Sequence, residues 1–207
     1  MSLIQDMNTV REAVLAYYRS DAALAGLSGT SRIHLDTVIS AIQDPLPLNT
    51  GHQAASVPAT RYWPRLMEDV APPFQELCTA ANAIFDHLHW KINKNYIGIF
   101  PSRFFDNEAF VEMIGPNGLL LCDEVRVGFL ILGEDIYYPS HHHEATELYH
   151  PVSGTGLWQQ GEGDEVSKPP ATPIYHEEWE NHAMRTTNPC LNLWSWAGEI
   201  GQEAQAS

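Results

Sequence analysis

The spacing of apolar residues divides the chain near residue 95 into a helical first part and a β-rich second part. Before that point, apolar side chains recur at the three- and four-residue intervals of amphipathic helices. The predicted helices cover residues 10–27, 33–42 and 66–90. Pro72 and Pro73 interrupt the last of them. Residues 44–58 are too rich in proline and glycine for regular structure, which predicts a linker or a lid over a pocket.

From Tyr96 onward, short runs of β-branched and aromatic residues alternate with turn residues such as Pro116, Asn117 and Gly118. The predicted strands cover residues 96–102, 108–115, 119–122, 125–133, 146–159, 165–175 and 190–197. Many short strands separated by turns are typical of a barrel or a sandwich. We therefore expect a mostly β catalytic domain over residues 95–207, with an N-terminal helical segment over residues 1–94 that packs on it.

Composition narrows the classes of partner. A chain of 207 residues is long enough for one sizeable core. The 26 acidic and 11 basic residues give a formal charge of -15, which would repel nucleic acid and anionic lipid, so neither is an expected partner. The first ten residues lack the pattern of a signal peptide, and apolar runs are too short for a membrane span, so we expect a cytoplasmic protein. The three cysteines lack CxxC spacing, which predicts reduced thiols.

The most informative stretch is HHHEATELYHPVSG, residues 141–154. In an extended chain, His141, His143, Glu147 and Tyr149 have the same parity and would project from one face. Imidazoles and a carboxylate suit one divalent transition metal (zinc, iron, manganese, nickel or cobalt) and leave coordination positions open. The alternative is a polar histidine cluster on a solvated loop, which we consider less consistent with this density of donors.

The segment from Gly133 to Gly154 resembles the first motif of the cupin superfamily, Gly-x5-His-x-His-x3 or x4-Glu-x6-Gly, although seven residues separate Gly133 from His141 here. This resemblance implies an antiparallel β-barrel, the double-stranded β-helix, with a metal in its mouth. The second cupin motif is poorly kept, so the last ligand is either His182 or His176. We prefer His182, because the following residues predict a closing hairpin with Thr186 where the family has asparagine.

The sequence YYPSHHHEATELYHPVSGTGLW, with the later WENHAMRT and a helical N-terminal segment, resembles more closely the cupin-type dimethylsulfoniopropionate lyases of marine bacteria. Those enzymes produce dimethyl sulfide and acrylate, and a tyrosine two residues beyond the motif glutamate distinguishes them from other cupins. The resemblance implies catalysis by Tyr149 and substrate contact by Tyr138. The metal ligands that it implies are His141, His143, Glu147 and His182. His141 is the least certain ligand, since it could contact substrate while Tyr149 coordinates the metal.

The implied β-elimination agrees with these residue types. It needs a base near the carbon alpha to the substrate carboxylate, and a metal on that carboxylate would stabilise the developing negative charge. A nearby cation favours the phenolate of Tyr149, which makes this residue a credible base. A sulfonium group donates no conventional hydrogen bond, so aromatic faces are expected to hold it. The candidates for this contact are Trp179, Trp194, Trp196 and Tyr137.

We therefore expect a carbon–sulfur lyase acting on a small zwitterionic substrate. A cupin dioxygenase with non-haem iron would share the same two-histidine, one-carboxylate ligand set. A cupin that binds a small molecule without catalysis is a third interpretation, and it would tolerate the loss of Tyr149. Strand edges of a cupin barrel are compatible with a homodimer, although no residue here predicts an interface.

Overall fold

The computed structural model describes residues 2–207, and its first half is helical. The α-helices are α1 (Leu3–Tyr18), α2 (Asp21–Leu24), α3 (Gly29–Ile42), α4 (Trp63–Glu68), α5 (Gln75–Ala83) and α6 (Ser102–Phe105). Short 3-10 helices lie at Pro58–Tyr62, Pro72–Phe74, Phe85–His87 and Lys94–Tyr96. The single helix predicted over residues 10–27 is wrong: α1 begins earlier and ends before Ser20. The Ser20 side chain accepts the backbone N–H of Ala23 and thereby starts α2 as a new helix.

The strands are β1 (Glu108–Ile114), β2 (Val125–Leu132), β3 (Tyr137–His142), β4 (Thr146–Ser153), β5 (Gly156–Gln160), β6 (Val166–Lys168), β7 (Ile174–His176), β8 (His182–Thr186), β9 (Cys190–Ala197) and β10 (Gln205–Ala206). They form two five-stranded antiparallel sheets with the orders β1-β2-β9-β4-β7 and β10-β3-β8-β5-β6. This pair of sheets with helices preceding it is the barrel architecture expected from the sequence.

Several predicted strands differ from the structure. The run at 96–102 forms helical turns instead of a strand, and the run at 119–122 contributes only bridges at Leu120. The run at 146–159 divides at Gly154, whose φ of +74° and close approach to the Pro189 carbonyl require glycine. The run at 165–175 likewise divides around Pro169 and Pro170, since proline cannot donate to a sheet ladder.

The sheet that contains β2 and β9 is covered on both faces, which explains why every residue of these two strands is buried. On the outer face, Val127, Phe129 and Leu193 belong to one apolar cluster with Val10 and Val14 of α1. The inner face lines the barrel interior. There, Tyr149, Trp194 and Trp196 of this sheet form a second cluster with Tyr138 and Trp158 of the other sheet. The helical segment thus packs against the barrel and turns the β2–β9 sheet into a buried layer.

Strand register brings residues that are distant in sequence onto the inner face of this sheet. One row across β2, β9, β4 and β7 contains Arg126, Trp196, Glu147 and His176. The parallel row contains Gly128, Trp194 and Tyr149. A Cβ atom at Gly128 would lie 2.7 Å from the Trp194 ring, so the indole occupies space that only glycine leaves free.

In the part of the chain that the structure describes, none of the helices is both long enough and apolar enough to cross a membrane.

Candidate active site

Three buried side chains converge inside the barrel. Nε2 of His143 lies 2.9 Å from Oε2 of Glu147, and Nε2 of His182 lies 3.3 Å from the same oxygen. One potential ligand atom from each residue falls within 4.8 Å of the other two. His143 follows β3, Glu147 lies on β4 and His182 begins β8, so the fold of both sheets is needed to assemble the group.

The histidine rings at this site are oriented by backbone carbonyls. Nδ1 of His143 donates to the carbonyl of Ala145 at 2.8 Å, and Nδ1 of His182 donates to that of Glu180 at 2.8 Å. These contacts place the hydrogen of a neutral ring on Nδ1 and leave the Nε2 lone pairs facing Glu147. Lone pairs and a carboxylate at such distances require a proton or a cation between them. The donor set therefore fits a divalent metal ion.

His141 lies beside this group and not at its centre. Its Nδ1 donates to the Pro139 carbonyl at 2.9 Å. Its ring stacks on Tyr138 with centroids 4.1 Å apart and planes 7° apart, and it also contacts the His182 ring at 4.1 Å. The ring is 3% exposed and has the same Nδ1 arrangement as the other two histidines. The position of His141 allows it either to bind the metal with the other ligands or to contact a molecule bound to that metal.

His176 is close to the site but packs behind His182. Their rings stack at 4.0 Å with planes 15° apart, and Nδ1 of His176 lies 3.7 Å from a carboxylate oxygen of Glu180. Strand pairing places His176 opposite Glu147, but its nitrogens are not part of the converging group. The converging group therefore contains His182 and does not contain His176.

Burial and mutual contacts determine the charges of the ligand residues. Burial raises the pKa of Glu147, but His143 and His182 outweigh it and hold that pKa well below its usual range. Burial, helped by His176 and opposed by Glu147, lowers the pKa of His182 to about 4. At neutral pH, Glu147 is therefore an anion and His182 is neutral, which are the states that metal binding requires.

Trp196 supports the glutamate. Its indole Nε1–H donates to Oε1 of Glu147 at 2.7 Å, so the two carboxylate oxygens have separate partners. The same ring lies 4.3 Å from the His143 ring and 5.4 Å from the guanidinium of Arg126. The predicted substrate contact at Trp196 thus lies in the site, but the contact that the structure shows is a hydrogen bond to the central carboxylate.

Two tyrosines reach the same space. Tyr149 is 5% exposed and packs against Trp158 at 4.9 Å and His176 at 6.1 Å. Burial, followed by the charge of Glu147, raises its pKa well above 10. Tyr138 places its hydroxyl 3.1 Å from that of Tyr96, and burial also raises its pKa well above 10. Both are neutral phenols at pH 7, and for Tyr149 a cation that compensates the charge of Glu147 would oppose this shift.

A cavity opens next to Glu147 and is lined by Tyr138, Tyr149, Trp194 and Trp196. Trp179 does not line this cavity: it is 47% exposed, its ring lies 5.6 Å from that of His142, and its backbone N–H donates to the His143 carbonyl at 2.8 Å. The structure therefore places Trp179 outside the cavity that the other three predicted substrate-contact residues line.

Tyr137 also lies outside, at 41% exposure under the guanidinium of Arg185. It points away because it has opposite parity to Tyr138 on β3.

The sequence analysis missed three charged residues that line the cavity, Glu108, Arg126 and Glu203. Arg126 lies 3.0 Å from a carboxylate oxygen of Glu203 and 3.7 Å from one of Glu112. The available signal was a charged residue inside an otherwise apolar strand run, EAFVEMIG for Glu108 and VRVGFLILG for Arg126. A charge at such a position has to be buried, and buried charges cluster at functional sites.

Comparison with known proteins gives a family match: the dimethylsulfoniopropionate lyase family model matches residues 30–192. The chain is 26% identical over 98 residues to the dimethylsulfoniopropionate lyase DddQ of Ruegeria pomeroyi. It is 25% identical over 126 residues to the candidate dimethylsulfoniopropionate lyase DddL of Cereibacter sphaeroides. These matches cover 47% and 60% of this chain. They span about half the length of each curated relative, 49% of DddQ and 52% of DddL.

Two solved structures share the fold over nearly their whole length. The crystal structure of the DMSP lyase DddQ from Ruegeria pomeroyi DSS-3 superposes with a TM-score of 0.76 at 20% identity, covering 99% of this chain and 95% of that one. A chain from the crystal structures of the DMSP lyases RdDddP and RnDddQII gives 0.75 at 22% identity, covering 98% of both chains. Together with the two antiparallel sheets, they confirm the predicted cupin-type barrel with an N-terminal helical segment.

Proposed function

Because the chain belongs to the dimethylsulfoniopropionate lyase family, we propose that it cleaves dimethylsulfoniopropionate to dimethyl sulfide and acrylate by β-elimination. The observation that carries this proposal is the convergence of His143, Glu147 and His182 beside a cavity with aromatic walls. Such a site offers a cation for the substrate carboxylate and π-faces for the sulfonium group.

The residues that would hold a metal are His143, Glu147 and His182, with His141 as a further ligand. When bound, a divalent cation (zinc, iron, manganese, nickel or cobalt) binds the substrate carboxylate and stabilises negative charge at the adjacent carbon. The protein prepares this site by fixing the Nδ1–H groups on backbone carbonyls and by donating the Trp196 N–H to Glu147.

Tyr149 is the proposed base. Its phenolate takes the proton from the carbon alpha to the carboxylate, the released electron pair forms the double bond of acrylate, and the carbon–sulfur bond breaks. Dimethyl sulfide leaves as a neutral molecule, so no acid has to protonate it. The high pKa of Tyr149 in the metal-free protein has burial and the charge of Glu147 as its first two causes, and a cation on Glu147 offsets the second.

The sulfonium group is proposed to lie against the faces of Trp194 and Tyr138. Both rings line the cavity and are at most 6% exposed, so a cation between them is shielded from water. Cation–π attraction strengthens when the partners are desolvated, reaching about 2 kcal/mol. Trp196 contributes a third face while its N–H is occupied by Glu147.

The test is to incubate metal-loaded protein with dimethylsulfoniopropionate under anaerobic conditions and to measure headspace dimethyl sulfide together with acrylate. We expect equal amounts of both products. Tyr149→Phe should keep its fold and bound metal and lose at least about a hundredfold in turnover. Tyr137→Phe is the matched control, because Tyr137 lies on the outside of the barrel and should keep full activity.

Two outcomes would contradict this proposal. Absence of product from the unmodified protein with each of the five metals would reject the lyase activity. Loss of metal from Tyr149→Phe in proportion to lost activity would make Tyr149 a ligand instead of the base.

The alternative activity is that of a dioxygenase, and it is favoured by one observation: two histidines and one carboxylate also form the ligand set of non-haem iron oxygenases. Oxygen consumption by the iron-loaded protein, with no dimethyl sulfide under anaerobic conditions, would support that activity instead.

A further inference from the structure

Glu108 is a buried carboxyl group in the same cavity, and a polar group near it is the backbone of Asn93. Glu108 is 1% exposed, and neither of its oxygens accepts a hydrogen bond from any residue between 2 and 207. Over the same described range, no cationic side chain lies within ion-pair distance of it. Glu108 lines the cavity together with the aromatic rings of Phe110, Tyr138 and Trp194, and the same cavity is also lined by Arg126.

The neighbouring Glu112 shows that this lack of partners is specific to Glu108. Glu112 lies on the same strand with the same parity, yet it accepts the backbone N–H of Asn117 at 2.6 Å and lies 3.7 Å from Arg126. Its charge is therefore compensated within the protein. Glu108 lacks such compensation, and an isolated buried carboxylate costs several kcal/mol.

Protonation of Glu108 avoids this cost. Burial raises the pKa of Glu108 to about 8, against a smaller opposing effect of the Asn93 backbone. The titratable groups near it include the phenols of Tyr96, Tyr138 and Tyr149, which are neutral near pH 7. The charged residues that line the same cavity are Arg126, Glu147 and Glu203. A bound cation would reverse this balance, since an opposite charge nearby favours the carboxylate.

We propose that Glu108 is the counter-charge for the onium group of the substrate and makes the cavity selective for cationic over neutral ligands of the same shape. This proposal rests on the proposed lyase function, because it assigns the sulfonium end of that substrate. An onium ion carries charge but no hydrogen-bond donor, so it suits a carboxylate surrounded by aromatic faces and free of competing donors. Glu147 and Glu108 line one cavity, which gives it one group beside the metal site for the carboxylate and a second group for the cation.

The experiment compares two probes that differ only in charge. 3-(Trimethylammonio)propanoate and 4,4-dimethylpentanoate have the same shape and carboxylate, but only the first carries a cation. Binding of each to the metal-loaded full chain is measured by titration calorimetry. We expect the wild type to bind the cationic probe at least about tenfold more tightly. Binding of that probe alone should release a proton, seen as a dependence of the heat on the buffer.

The matched variant is Glu108→Gln, whose amide has the shape and the zero charge of the protonated Glu108 carboxyl group. It should lose at least about tenfold in affinity for the cationic probe and about twofold or less for the neutral probe. Glu108→Asp keeps the carboxyl group and should retain part of the preference, which provides a second variant if the first does not fold.

Equal binding of the two probes by the wild type would overturn the proposal without any variant. An equal loss for both probes in Glu108→Gln would also overturn it, because Glu108 would then only shape the cavity. Calorimetry registers binding whether or not turnover occurs. A preference for the cation without dimethyl sulfide formation would leave the role of Glu108 standing and reject the lyase function. Dimethyl sulfide formation without a preference for the cation would support the lyase function and overturn the role of Glu108.

Discussion

Replacing Trp196 with phenylalanine should weaken metal binding through one hydrogen bond. The indole Nε1–H donates to Oε1 of Glu147 at 2.7 Å, and both residues are buried. Phenylalanine keeps an aromatic ring beside His143 but has no donor. The carboxylate oxygen would then be left without this partner in the interior of the barrel.

The size of the effect follows from the type of bond. A hydrogen bond to a charged group contributes about 1.5–3 kcal/mol, and the short distance here places this one in that class. At about 1.4 kcal/mol per tenfold change in affinity, the loss corresponds to roughly 10- to 100-fold weaker metal binding. The folded state should lose less than this in the metal-free protein, because His143 and His182 still contact the carboxylate.

The assay is titration of metal-free protein with zinc against a chelator of known affinity, with thermal unfolding recorded in parallel. Trp194→Phe is the control, since its Nε1 has no hydrogen-bond partner among residues 2–207 although the ring lines the same cavity. We expect the two variants to differ by about tenfold or more in metal affinity. Unchanged affinity in Trp196→Phe, or equal losses in both variants, would refute the role assigned to this hydrogen bond.

Two further outcomes are expected. His182→Asn should weaken metal binding by at least about a hundredfold, whereas His176→Asn should change it less than tenfold, as measured by the same chelator competition; the opposite ranking would exchange their roles. His34 is buried between Thr146 and Ser195, and burial lowers its pKa from 6.5 to about 4. As the pH drops below 6.5, His34 is therefore protonated in the unfolded chain before it is protonated in the folded protein. Stability should therefore fall as pH drops from 6.5 to 4, by up to about 3 kcal/mol from this residue. Urea unfolding of metal-free protein should show a smaller loss in His34→Gln, and parallel losses would contradict this assignment.

The sequence predicted the elements best where one local pattern dominates. The buried runs of β2 and β9 and the stripe of α5 were recognisable because an apolar period needs only neighbouring residues. The predictions for residues 96–102 and 119–122 failed because these segments are short and their conformation depends on what packs against them. Leu120, for example, bridges to Leu48 and Ile114.

In the candidate site, too, some features follow from the sequence of one strand and others depend on how the strands pair. Parity along one strand placed Glu147 and Tyr149 on a common face, and it separated Tyr138 from Tyr137 once β3 formed. Trp194 and Trp196 also have the same parity on β9. Parity could not tell which indole would reach Glu147, since that depends on the register of β4 against β9.

What the sequence determined by itself was the set of donors and their direction within each strand, because side-chain alternation is a property of a single extended chain. The tertiary structure decided which donors meet. The pairing of β3 with β8 brings His182 to His141, and the pairing of β4 with β7 places His176 behind it. The closure of the barrel buries Glu108, whose oxygens have no hydrogen-bond partner among residues 2–207. Those contacts join residues far apart in sequence, and the protonation states depend on burial, which exists only after both sheets and the helices have packed together.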